Sequence, residues 1–133
     1  MIFVLDACAM IAWLRNEPGA DVVDVAIRDV NSTCFAHGIN LCEVFYDALR
    51  HTDESHAQSV LADLKDLGVV TRNDFDETFW QDAGRIKAAH RASLADCCAI
   101  ALAKRAGGTL LTSDHHELDR VAALGVYQIT FIR

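Results

Sequence analysis

Four acids in this chain stand where a charge is conspicuous or costly: Asp6, Glu43, Asp96 and Asp114. Asp6 is the only charge in the first 14 residues and follows the apolar run Ile2, Phe3, Val4, Leu5. Glu43 is set among Leu41, Cys42, Val44 and Phe45. Asp96 lies inside the alanine-rich stretch Leu94–Ala103, where an ionised carboxylate is unfavourable unless something compensates it. Asp114 closes the run Thr109, Leu110, Leu111, Thr112, Ser113. Carboxylates brought together repel one another unless cations hold them. Oxygen donors without a His or Cys cluster favour Mg²⁺ or Mn²⁺ over Zn²⁺. Such ions serve phosphoryl chemistry: they deprotonate water, orient a phosphate and stabilise charge in the transition state.

Each acid also has an ordinary explanation. Asp6 at a strand-to-helix junction suits a helix N-cap. Asn40 and Glu43 have capping-box spacing, as do Ser93 and Asp96, and Asp114 and Glu117. The positive end of a helix would favour Asp96 as well. The joint placement is what points to a site, because all four fall at strand ends or early in apolar helices.

The elements that must position them follow from periodicity. Residues 2–5 lack alternation and read as a strand buried on both faces. An apolar helix over 7–15 is broken by Pro18 and Gly19, and a second runs from about Ala20 to Val30. A strand is expected over Thr33–Ala36. Leu41, Val44, Phe45, Ala48 and Leu49 then mark a helix over about His37–Arg50. Val60, Leu61, Leu64 and Leu67 mark another, with Gly68 as its cap. After a short strand at Val69–Thr71, Asp74 or Asp76 caps a helix that buries Phe79, Ala83 and Ile86. Ser93 caps the Asp96 helix, which runs to Arg105 and ends at Gly107 and Gly108. Thr109–Thr112 reads as a strand, about His116–Leu124 as a short helix, and Val126–Ile132 as the last strand. Strands alternating with helices predict an α/β sandwich with a mostly parallel sheet, whose ligands bind beyond the carboxyl ends of the strands. Asp6 and Asp114 both fall there.

Composition bounds the rest. At 133 residues, 52% hydrophobic and 23% charged, the chain suits one folded domain. No apolar stretch is long enough to cross a bilayer without a charge, and nothing around residues 1–14 frames a signal peptide. The cysteine count is odd (Cys8, Cys34, Cys42, Cys97, Cys98) and no CxxC pair occurs, which predicts reduced thiols in a cytoplasmic protein and no structural zinc. A net charge of −7 excludes a nucleic-acid binder that works through a broad basic surface. Held by metal, the four acids would account for four of those charges. The local run Arg85, Lys87, His90 and Arg91, with Lys104 and Arg105, is a candidate basic rim for phosphate groups.

In these motifs the sequence resembles the PIN domain, and most of all the toxin member of VapBC toxin–antitoxin pairs. The resemblance runs over essentially the whole chain. It is carried by Phe3-Val-Leu-Asp6-Ala7, by Glu43 within Ile39-Asn-Leu-Cys-Glu-Val44, by the Leu94-Ala-Asp96 helix and by the Leu110-Leu-Thr-Ser-Asp114 strand end. The last two together are the specific part. The resemblance implies a single PIN domain over residues 1–133, with a Rossmann-like three-layer sandwich. It implies that Asp6, Glu43, Asp96 and Asp114 are the catalytic, metal-binding acids for one or two Mg²⁺ or Mn²⁺ ions, and that metal-activated water hydrolyses RNA phosphodiesters. Thr112 matches a supporting hydroxyl. A homodimer and a VapB-type antitoxin covering the active-site groove are also implied, with Trp13 and Trp80 as candidate interface residues. One departure stands out: where the family has Ser, Thr or Asn two residues after the first acid, this chain has Cys8, a weaker hydrogen-bonding partner. That keeps open a catalytically silent PIN-like interaction domain. A phosphatase would need an Asp at position 8, and a receiver domain an acidic pair near the first strand and a late Lys; neither pattern is present. Glu117 is a candidate outer-shell acid.

Overall fold

The first strand, β1 (Ile2–Leu5), shows why the sheet needs cover on both sides: Val4 and Leu5 point to opposite faces and both are buried. The computed structural model describes all of residues 1–133 and contains five strands and seven helices. After β1 come α1 (Ala7–Leu14), α2 (Ala20–Arg28), β2 (Thr33–His37), α3 (Gly38–His51), α4 (Glu54–Asp66) and β3 (Val69–Arg72). The second half runs α5 (Glu77–Ala89), α6 (Leu94–Ala106), β4 (Thr109–Thr112), α7 (His115–Ala123) and β5 (Ile129–Phe131). No helix is long and apolar enough to cross a membrane.

The strands lie in the order β3-β2-β1-β4-β5 and every neighbouring pair is parallel. Val4 stands opposite both Phe35 and Leu110. The expected sheet is therefore present, with no antiparallel strand. Strand alternation divides the core in two. Leu5 and Leu111 pack with α1, α2, α3 and α4 on one face. Val4 and Leu110 pack with α5, α6 and α7 on the other. This is an α/β/α sandwich.

Helix α6 is buried continuously from Ala95 to Ala103, which its small Ala and Cys side chains permit by letting it lie close to the sheet and α5. It ends at Gly107, whose φ of +67° is left-handed and suits glycine. Gly108 follows against β1, where an added Cβ would meet the Ile2 carbonyl oxygen at 2.7 Å. These two glycines let the chain turn straight from α6 into β4.

Two expectations change at the margins. α4 begins at Glu54, capped by Asp53, whose side chain accepts from the His56 N–H at 2.8 Å; its exposed, polar first turn leaves no apolar pattern to read. The last strand is only Ile129–Phe131, because it pairs with the short β4 at Leu110–Thr112 and Gly125 turns the preceding chain.

The chain runs outward from β1 through β2 to β3, then returns to β4 on the other side of β1. The β1/β4 boundary is thus the point where strand order reverses, which in parallel sheets opens a crevice at the carboxyl ends. Asp6 ends β1 and Asp114 lies two residues beyond β4. The two strands are joined there by the Asp6 N–H donating to the Leu111 carbonyl at 3.4 Å.

Candidate metal centre

Asp6 caps α1: its side chain accepts from the Ala9 N–H at 2.8 Å. Its other oxygen, Oδ2, is buried without a hydrogen-bond partner, and the residue is only 1% exposed. Burial pushes the Asp6 carboxyl up to about 6. Thr112 and the Ala9 amide oppose the rise, while Asp114 and Glu43 add to it. The capping reading is therefore correct and incomplete, since a cap uses one carboxylate oxygen and this residue leaves the second unsatisfied.

The β4 end presents the next acid. Thr112 is fully buried, and its hydroxyl accepts from the Asp114 N–H at 3.0 Å, which fixes the turn. Asp114 in turn caps α7 by accepting from the Glu117 N–H at 3.1 Å. At the start of α6, Ser93 Oγ accepts from the Asp96 N–H at 3.1 Å. The reciprocal bond of a capping box is missing, because the Ser93 N–H donates to Glu117 Oε2 at 2.7 Å instead. Asp96 is thereby free to turn toward α7.

The result is a tight group: one carboxylate oxygen each from Asp96, Asp114 and Glu117 lies within 4.8 Å of the others. Asp96 is held well above the ordinary carboxylate range, first by burial and then by hydrogen bonding with Glu117. Glu117 is lowered by the same contact with Asp96 and by the Ser93 N–H. Without a cation, this pair shares one proton rather than carrying two charges.

Glu43 projects from α3, half-buried, beside the Tyr46 hydroxyl at 3.5 Å. Burial raises its pKa, and Glu117 and Asp114 raise it further. Glu43 and Asp6 stand outside the tight trio but within its electric field. The Cys8 thiol lies in the same field: burial pushes it up to about 12, helped by Asp6, Asp114, Asp96 and Glu43. It is a neutral thiol, unlike a metal-ligating thiolate.

Sequence reasoning underrated one acid and missed one amide. Glu117, expected only as an outer acid, stands in the tight group with Asp96 and Asp114, and its spacing of three from Asp114 was the available signal. Asn40 is not a cap, because α3 starts at Gly38 with His37 as its N-cap. Asn40 is fully buried and its Nδ2 donates to the Ala95 carbonyl at 3.4 Å, tying α3 to α6 beside Asp96. The proposed basic rim is partly used elsewhere. Arg85 pairs with Asp82, Lys87 donates to the Ala92 carbonyl, and Arg105 pairs with Asp74 and Asp76. Cys97 and Cys98 are buried core residues, whereas Cys42 is exposed.

The donor set fits a hard divalent cation. It consists of carboxylate oxygens, it includes three within ligating reach of one point, and the buried Asp6 Oδ2 has no partner at hydrogen-bond distance.

The PIN domain profile matches residues 3–124. The chain belongs to the PIN-domain family. No curated protein matches it in sequence. Among solved structures, VapBC2 from Rickettsia felis bound to a promoter DNA fragment is similar with a TM-score of 0.76 and 16% identity, over 98% of each chain. DNA-bound VapBC from Salmonella typhimurium gives a TM-score of 0.75 and 14% identity, over 100% of this chain and 99% of that one. The Mycobacterium tuberculosis toxin VapC20, which cleaves the sarcin–ricin loop, gives 0.69 and 16%, over 92% of this chain and 95% of that one. At such identities the likeness establishes the PIN fold, and the acids of this PIN domain must be argued from their own geometry.

Proposed function

We propose that this PIN domain, spanning residues 1–133, is a divalent-metal-dependent ribonuclease and the toxin component of a toxin–antitoxin pair. The observation that carries the reading is the convergence of Asp96, Asp114 and Glu117 within 4.8 Å at the β1/β4 switch point, beside the unsatisfied Asp6 Oδ2. Family membership and the VapBC likenesses support it.

In this reading Asp6, Glu43, Asp96 and Asp114 are the catalytic, metal-binding acids, joined by Glu117, and the ion is Mg²⁺ or Mn²⁺. When bound, such an ion supplies Lewis-acid charge to a phosphodiester and lowers the pKa of water. Asp96 and Glu117 would hold the ion as carboxylates, without the proton they share in its absence. Thr112 holds the Asp114 backbone, and through it the carboxylate, in place. In this reading Glu43, at the half-buried edge, is the candidate to accept a proton from attacking water. Asn40 keeps α3 at a fixed distance from α6. The substrate is RNA, the partner a VapB-type antitoxin, the assembly a homodimer and the location cytoplasmic.

Cleavage of mixed cellular RNA with Mg²⁺ or Mn²⁺, abolished by EDTA and by Asp96→Asn with the fold intact by circular dichroism, tests the reading. Equal cleavage by both proteins would move the chemistry elsewhere. No cleavage by either, together with no growth arrest on expression, would favour the silent interaction domain that Cys8 leaves open.

A further inference from the structure

An open groove of about 510 Å³ runs from the acid cluster between the end of α5 and α7. Its walls carry His90 and Arg91 on one side, and His116, Glu117 and Arg120 on the other. Glu117 belongs both to the groove and to the metal centre, so the two are continuous. The bond from the Ser93 N–H to Glu117 pins the loop after α5 against α7 and holds the two walls in register. On α7, His116 and Arg120 are four residues apart and share a helix face.

The two arginines are exceptional in this chain. Arg15, Arg28, Arg72, Arg85, Arg105 and Arg133 all pair with carboxylates. Arg50 lies over the Tyr46 ring. Arg91 and Arg120 have no carboxylate, hydrogen-bond or aromatic partner, although the chain carries 19 acids to 12 bases. Both unpartnered guanidinium groups line the groove that contains Glu117. A guanidinium presents planar paired donors that match phosphate oxygens. Net charge of −7 leaves the protein no general attraction for a polyanion, so contact must be local.

Resting on the ribonuclease reading, we propose that Arg91 and Arg120, flanked by His90 and His116, seat a phosphate of the RNA strand next to the scissile one. The groove thus sets the path of the strand away from the metal centre and requires a substrate longer than a single phosphodiester. Arg91 and Arg120 act in binding, so their loss should appear in KM with kcat preserved.

The test uses the full chain, a fluorescein-labelled single-stranded 12-nucleotide RNA and fluorescence anisotropy in EDTA across a salt series, with steady-state cleavage in Mn²⁺ alongside. R91A/R120A is compared with wild type, with R91K/R120K, and with K65A, which removes an unpaired charge from α4. The expected result is about tenfold weaker binding and a KM raised equally for R91A/R120A, with a salt slope shallower by about 0.7 per lost phosphate contact. R91K/R120K should recover most of the loss, and K65A should match wild type. If R91A/R120A behaves like K65A while wild type cleaves, the groove is no phosphate seat and the ribonuclease reading stands. If R91A/R120A keeps its RNA affinity but loses binding to a polyglutamate peptide, the groove takes an acidic protein segment instead. If wild type neither binds nor cleaves RNA, both readings fall.

Discussion

Glu117 on α7 accepts a hydrogen bond from the backbone N–H of Ser93, the N-cap of α6, at 2.7 Å. That bond joins α6, whose first turn carries Asp96, to α7, whose N-cap is Asp114. The same carboxylate contacts Asp96, so one side chain assembles the site and contributes to its charge. Glu117→Ala should lower the thermal midpoint of the metal-free protein by leaving the Ser93 N–H without its partner, a loss of about 1 kcal/mol. Glu117→Gln keeps an acceptor and should lose less. Both should weaken Mn²⁺ binding by titration calorimetry. Equal midpoints for the two variants would show that the clamp contributes nothing.

Divalent metal should stabilise the protein through its acids. Ligand that binds only the folded chain adds about 2.7 kcal/mol at a concentration 100 times its Kd. Mn²⁺ should therefore raise the melting temperature of wild type by several degrees. Asp96→Asn and Asp114→Asn should abolish most of that shift while still folding. A variant shift equal to wild type would remove these residues from the metal site.

Asp6 makes a pH prediction. Its carboxyl is raised from 3.8 to about 6 in the folded, metal-free chain. The folded state therefore binds more protons than the unfolded state between those values. Its contribution to stability is full below about pH 4 and is lost as pH rises through about 6, on the order of 3 kcal/mol. Asp96 works in the same direction. Unfolding by urea should show metal-free wild type losing stability from pH 4 to pH 6, with a flatter dependence in Asp6→Asn. Saturating Mn²⁺ should reverse the wild-type trend. A metal-free stability that rises over this window would contradict the buried, partnerless Asp6 oxygen.

Cys8 lies among the acids as a neutral thiol. Cys8→Ser places a stronger hydrogen-bonding group there with little change in volume. The expected outcome is a kcat for RNA cleavage higher by up to about tenfold, with the melting temperature within a degree or two. An unchanged or lower kcat would mean that the thiol suits this site as it stands.

Much of this molecule was legible in its sequence, because local physics governs what was read. The unbroken apolar run at 2–5 had to be a strand covered on both faces, and it is β1. Ser93, Gly107 and the alanine-rich stretch between them set α6 at both ends. Asp6, Asp96 and Asp114 were visible as acids at element termini, where capping chemistry and apolar surroundings leave a strong pattern.

Other features had no local signature. Asn40 and Glu43 had capping-box spacing, but His37 takes the cap and Asn40 reaches across to Ala95, 55 residues away. Ser93 and Asp96 satisfied half a box because Glu117, 24 residues on, supplied the other acceptor. The expected basic rim included Arg85, which pairs with Asp82, whereas Arg120 shares a groove with Arg91 only once α7 docks beside α6. Periodicity reports which face of an element is buried and capping residues report where it ends. Neither reports which elements meet. The sequence by itself determined the strands, the helices and the acids at their ends. Strand order around β1, the recruitment of Glu117 and the meeting of Arg91 and Arg120 on one groove were decided by tertiary packing, because each depends on contacts between segments whose separation along the chain carries no periodic signal.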